Sequence, residues 1–365
     1  LIGIYPIQGK GVVNGASHKK LLAIGNLKQP VHAWGEIYTG ISAKDYMDGT
    51  SNFYGVHSVT LYVDSVQVFN STTDKVLPDE NRMINGFTDY EELTRTRRLI
   101  MRSYKLPGNR LRLLHTNENR GAVTIDEERD YHFRYVLEDN FGNRRTYQFI
   151  VKGKRQDIPE FKPEANEMLY WNRTNVIQKP GMELVVPRYH VYENVPLRTD
   201  MRGDSSRIAF DYILDAGRTP IHSYCDLSIG LRHMPVADTT KYYIVQKAGK
   251  WRSSMGGKYA NGWIKTRVRS LGTFSVDVDT IAPQITPIGQ GGWRTSRNIR
   301  FRIKDMESGI GSYKVYIDGK FVLFGLKKGI LVIQDPEKVK KGVPHKLEVT
   351  VTDQCGNMAR KEYKF

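Results

Sequence analysis

The sequence predicts a mainly β fold: tandem β-sandwich domains, the first with a short helical insertion. Three observations predict it. The word DNFGN at 139–143 returns as DQCGN at 353–357. The stretch GVHSVTLYVD at 55–64 returns as GIGSYKVYID at 309–318, with Gly, Ser, Tyr and Asp at matching places. Within both long copies apolar residues alternate, which is the period of a half-buried strand.

Each copy reads as one unit. A strand ends in Asp45 or Asp305, within VHAWGEIYTGISAKD and NIRFRIKD. The repeated strand follows, then a variable middle, then YHFRYVLE or HKLEVTVT. The D-x-x-G-N turn leads to a last strand, TYQFIV or KEYKF. Asp and Asn bond their own backbone in tight turns, and Gly supplies positive φ. A hairpin corner of this kind sets the register of the two strands it joins. About seven short strands in ~100 residues is the count of an immunoglobulin-like sandwich.

The first copy is 40 residues longer between its landmarks. TDYEELTRTRRLIMRSYKLPGN accounts for the excess. Thr88-x-x-Glu91 reads as a capping box, and Tyr90, Leu93, Ile100, Met101 and Tyr104 keep a helical period. This predicts a helical insert near 88–105, with Glu91 paired to Arg95. Residues 155–283 hold strand-like runs and no long helical pattern. Proline punctuates both borders, in KGKRQDIPEFKPE and DTIAPQITP. The predicted domains are therefore 1–154, 155–283 and 284–365, each a sandwich.

No run approaches the ~18 consecutive apolar residues of a membrane helix. The chain opens at Leu1 without a secretion signal, which reads as a mature protein or a fragment with targeting upstream. Cys225 and Cys355 make neither a disulfide framework nor a zinc cluster and are read as unpaired thiols. The net charge of +16 favours polyanionic partners. Nucleic acid is disfavoured because no recognition motif appears.

Catalytic patterns are missing. The nine histidines include no H-x-H and no H-E-x-x-H. GDSS at 203–206 lacks the flanking pattern of a nucleophile elbow, and the overlapping RGD is a common tripeptide; both read as loop. GQGGW at 289–293 reads as a turn. Asp305, Glu307 and Asp318 read as turn carboxylates before calcium ligands. No cofactor is expected in this stretch.

One region does suggest binding. Residues 239–276 contain no Asp or Glu but many Lys and Arg, interleaved with aromatics. Trp251, Tyr259 and Trp263, with Lys258 and Arg267, are the candidate glycan contacts: a ring stacks on a sugar while a cation meets its anion. The competing reading places the aromatics inward, with Lys and Arg merely solvated. The basic insert around Arg95, Arg97, Arg98 and Arg102 reads as a solvated helix.

LIGIYPIQGKGVVNG and AWGEIYTGISAKDYMDGTSNFYGVHSVTLYVD resemble the region downstream of the catalytic domain in bacterial lysostaphin-type (LytM-like) zinc endopeptidases. GGKYANGWIKTRVRSLGTFSVDVDTIAPQI is similar to their later segment. DMESGIGSYKVYIDGKF with VTDQCGN resembles a bacterial Ig-like terminal module. That family's zinc is held by a histidine, an aspartate and the first His of an H-x-H pair. None of these stands here, so no catalytic residue carries over. The resemblance implies a non-catalytic region that positions or shields a peptidase, with zinc only in an upstream catalytic domain of the same chain. It also implies peptidoglycan or another acidic envelope polymer as partner, in the bacterial periplasm or envelope. The alternative is a free-standing envelope glycan-binding or adhesion module.

Overall fold

The computed structural model describes residues 1–46, 49, 52–204 and 206–365. It is mainly β, with 48% strand and 8% helix, arranged as sandwich-like sheets with a few short helices. Among the described residues no helix is long and apolar enough to cross a membrane. The chain forms two units.

The first unit comprises Leu1–Asn175, Val186–Arg198 and Ala216–Tyr224. Its main sheet runs Lys20–Leu22, Ile2–Val13, Val31–Ile41, Arg144–Gly153, Asp130–Glu138, Ser58–Val63, Val66–Thr72 and Leu114–Thr116. Two long strands, Ile2–Val13 and Val31–Ile41, slip register between Pro6 and Gly11. There the backbones nearly touch. A methyl on Gly11 would lie 2.0 Å from the Glu36 carbonyl oxygen, so only glycine fits. The core is aliphatic and aromatic, with Tyr135 fully buried at its centre. Its hydroxyl is shared between Thr39 Oγ1 (2.8 Å) and Ser103 Oγ (2.7 Å), which removes the penalty of burying it.

The helical insert is shorter than its sequence period suggests. The helix is Tyr90–Thr96, capped by Asp89, whose side chain accepts from Glu92 N. Thr88 instead donates to the Ile84 carbonyl. Arg97 turns left-handed and ends the helix, and Met101–Arg102 pairs with Gly40 and Ile41. Tertiary pairing overrides the local period for Ile100, Met101 and Tyr104. Glu92, not Glu91, takes the cations. It is fully buried and receives Lys19, Arg95 and Arg98 at 2.7–3.3 Å. Burial pushes its carboxyl up, but hydrogen bonds from Lys19, Thr96 and Arg95 outweigh that and hold it at about 2.

The Val186–Arg198 segment joins this unit through Tyr192. Its hydroxyl donates to the Arg82 carbonyl (2.7 Å), and its own carbonyl accepts from Gly108 N (2.6 Å). A side chain on Gly86 would strike the Tyr192 ring at 2.8 Å.

The second unit comprises Val176–Val185, Thr199–Asp215 and Cys225–Phe365. In its first part Asp211–Asp215, Gly272–Val278, Tyr242–Ala248 and Trp251–Ser254 pair in that order. A second set runs Met182–Val186, Cys225–Gly230, Trp263–Val268 and Lys258–Ala260. The C-terminal part is a sandwich of two four-stranded sheets. Trp293 fills its core, edge-on to Phe301, Tyr363 and Phe365, with Nε1 donating to the Ile288 carbonyl. GQGGW, expected as a turn, forms a short 3-10 helix, Gln290–Gly292, that runs into the helical turn Trp293–Ser296, and its tryptophan is a core anchor.

The repeated words fold alike. Strand Ser58–Val63 pairs with Asp130–Glu138, as Ile310–Ile317 pairs with Lys346–Asp353. Asp64 and Asp318, at φ +48° and +50°, each close the repeated strand. Each accepts the partner strand's N–H at 2.9 Å, from His132 or Lys346. In the D-x-x-G-N turns, Asp139 Oδ1 accepts from Phe141 N and Asn143 N at 2.8 and 2.9 Å. Asp353 Oδ1 accepts from Cys355 N and Asn357 N, both at 2.8 Å. In both, the Asn amide bonds Oδ2 at 2.7 Å, and glycine sits at φ +84° or +79°.

Candidate functional site

Cross-strand neighbours share a face of a sheet, and alternate residues change face. Along Trp263–Val268, Ile264 and Val268 are buried, so Trp263, Lys265 and Arg267 point outward. Register carries this face across the sheet. Lys258 stands beside Lys265, then Ser228 and Glu183; Ala260 beside Trp263, then Gly230; Arg267 beside Asp226. Successive rows on one face are roughly 7 Å apart, two strand residues.

Two features of this face stand out physically. The half-buried Trp263 ring lies against Gly230, where a methyl group would sit 3.7 Å from Cδ2. A glycine neighbour lets the indole rest on the sheet while part of it stays open to solvent. Lys258 and Lys265 are both exposed and directly opposite each other. Among the described residues neither ammonium meets a carboxylate within ion-pair distance, and like charges so placed are unfavourable until an anion joins them. Chemically the arrangement offers a flat apolar ring with a pair of cations beside it.

Lys258, Trp263 and Arg267 therefore come together, and Lys265 joins them. Trp251 and Tyr259 do not. Trp251 lies on the other sheet, opposite Ala248 at a hairpin, and is 81% exposed. Tyr259 pairs with the buried Ile264 and so belongs to the inner side, at the sheet edge, 37% exposed. Sequence proximity had grouped the aromatics; the intervening turn at 255–257 sends the chain from one sheet to the other, with Met255 N bonding the Ile244 carbonyl. Residue parity along Trp263–Val268 already marked Lys265 as their companion.

Both thiols are buried, and burial pushes Cys225 up to about 12 and Cys355 up to about 11. The carboxylates Asp305, Glu307 and Asp318 do not gather. Asp318 binds His345 and Lys346 N, and Glu307 accepts from the Tyr243 hydroxyl. Asp305 instead meets Asp279 and Asp353, with one oxygen of each within 4.8 Å of the others. Sequence reasoning missed this trio because its members lie on three separate turns. Its oxygens serve as turn acceptors: Asp279 takes Ser308 N, Ser308 Oγ and Ile281 N, and Asp305 takes Glu307 N and Gly309 N. With Asn357 Nδ2 donating to the Asp279 carbonyl, they knot the C-terminal sandwich to the preceding strands. GDSS includes Ser205, outside the described residues; Asp204 and Ser206 bond one another.

The Trp263 face lies within a stretch that has known relatives. Residues 166–279 match the family model of the Zu5-like domain. The match spans less than a third of the chain. No curated protein matches the chain. Among solved structures, an adhesin described as Ca²⁺-stabilised and helping an Antarctic bacterium bind ice is similar at 10% identity, covering 98% of both chains with a TM-score of 0.17. A 1.5-MDa bacterial ice-binding adhesin is similar at 9% identity, covering 100% of this chain and 96% of that one, TM-score 0.16. The Bacteroides ovatus mixed-linkage glucan locus protein SGBP-B, solved with a heptasaccharide, is similar at 10% identity; 84% of this chain and 59% of that one are covered, TM-score 0.15. Superpositions this loose carry no weight for the ligand or role of this chain.

Proposed function

We propose that this chain is a non-catalytic binding module of the bacterial cell envelope, and that its outer face around Trp263 holds an acidic glycan. The carrying observation is the Trp263 ring laid on Gly230 beside the opposed Lys258 and Lys265. A sugar ring offers C–H bonds to an aromatic face, and a carboxylate on it would relieve the lysine pair. Arg267 extends the basic rim, and the net charge of +16 draws such polymers at long range. The resemblance to the flanking region of lysostaphin-type endopeptidases supports a wall polymer as ligand. Joined to a zinc peptidase, the face would hold that enzyme on peptidoglycan; alone, it would act as an adhesion module.

Binding to purified sacculi and to an acidic glycan array tests the reading. Trp263→Ala and the pair Lys258→Gln with Lys265→Gln should each weaken binding about tenfold, roughly 1.4 kcal/mol. Undiminished binding by both variants would remove the face from the account. Stoichiometric zinc with hydrolysis of sacculi would refute the non-catalytic assignment.

A further inference from the structure

A groove of about 470 Å³ opens in the first unit, far in sequence from Trp263. Ile41, Ala43, Val56 and Leu137 give it an apolar floor. Its rim carries Tyr46, which is 62% exposed, and Tyr147. Tyr46 is joined by Phe53, half exposed, with ring centroids 6.0 Å apart. The volume falls within the range of small-ligand sites.

The charges of the rim are not equivalent. Arg144 is paired with Glu138 at 2.7 Å, and Asp139 is consumed by its own turn. Lys44 and Arg145 instead stand over rings. Lys44 Nζ is 3.8 Å from the Phe53 centroid, and the Arg145 guanidinium is 5.8 Å from that of Tyr147. Among the described residues neither meets a carboxylate within ion-pair distance. Asp45 is the remaining acid of the lining. The groove thus sets the exposed Tyr46 ring beside two ring-capped cations that, among the described residues, have no carboxylate in ion-pair distance.

We propose that this groove is a second ligand site, for a carboxylate-bearing oligosaccharide. The exposed Tyr46 ring stacks on a pyranose face while Lys44 and Arg145 take the carboxylates. Leu137 and Glu138 are paired on both sides, with Val59 and Ser58 and with Arg145 and Arg144, so these two residues offer a ligand their side chains and not their backbone. The site shares no residue with the Trp263 face, and either can fail without the other.

Isothermal titration of the full chain carrying Trp263→Ala, so that the groove is read by itself, uses a short oligogalacturonate and the neutral galactose oligomer of equal length. The expected result is saturable binding of the acidic oligomer, at least tenfold tighter than the neutral one. Arg145→Gln and Lys44→Gln should each erase most of that preference, and Tyr46→Ala should weaken both oligomers. These side chains lie at the surface; circular dichroism melts check that each variant is folded, and the charge variants decide even if Tyr46→Ala is not. No saturable heat, equal affinity for both oligomers, or a preference untouched by Arg145→Gln and Lys44→Gln would overturn the site.

Discussion

The turns Asp139–Asn143 and Asp353–Asn357 have the same hydrogen bonds to within about 0.1 Å, yet they live in opposite environments. Phe141, at the tip of the first, is 92% exposed; Cys355, at the same place in the second, is buried against Tyr243 and Val245. Water reaches the half-buried Asp139 and is nearly excluded from Asp353. Hydrogen bonds from Asn143 hold the Asp139 carboxyl below its ordinary range, because solvent charges it little penalty. Burial raises Asp353 despite the same donors, with Asp279 adding like-charge repulsion. A short word can dictate a geometry while the surrounding packing decides what that geometry is worth.

The largest effect should separate the copies. Asp353→Ala leaves Cys355 N and Asn357 N without acceptors, while Asn357 Nδ2 keeps only the Asp279 carbonyl, costing about 2–4 kcal/mol for the lost bonds and unsatisfied donors. Asp139→Ala exposes its donors to water and should cost much less. Urea midpoints of the two variants measure the gap, and equal losses would mean that burial is irrelevant to the turn.

Acid should act on them with opposite sign. Asp139 has a lowered folded pKa, so its contribution is present above the unfolded value of 3.8 and fades as pH falls through the folded one. Asp353 has a raised folded pKa, so its ionisation works against folding as pH climbs above 3.8. Glu92 adds to the first unit's sensitivity: its stabilisation is complete above 4.5 and lost as pH drops towards about 2. Urea melts at pH 3 and 6 should show Glu92→Gln and Asp139→Asn flattening the acid loss, whereas Asp353→Asn should not. A steeper acid loss in Glu92→Gln would contradict this.

Substituting the turn glycines should make the copies look alike again. Gly142→Ala and Gly356→Ala both meet open space and both demand positive φ, so each should cost about 1 kcal/mol from backbone strain. A difference much above 1 kcal/mol would show that the backbones are not equivalent. The smallest effect belongs to Phe141→Ser, within about 0.5 kcal/mol in the same melts, since a side chain so exposed loses almost no packing.

Much of the fold was legible residue by residue. Asp64 and Asp318 close their strands through bonds to the adjacent strand, and the D-x-x-G-N turns close through bonds inside five residues. Alternation along Trp263–Val268 put Trp263, Lys265 and Arg267 on one face. Such features depend on neighbours in sequence or on a two-residue period, and a sequence displays both. Other outcomes needed the folded chain. Trp251 and Tyr259 left Trp263 because a turn exchanged sheets between them. The helix stopped at Arg97 because the next residues found a strand to pair with. Asp279, Asp305 and Asp353 met from three turns, and the groove beside Lys44 and Arg145 closed from segments about 100 residues apart. Burial and convergence arise from contacts between distant segments, so only the tertiary structure could decide them.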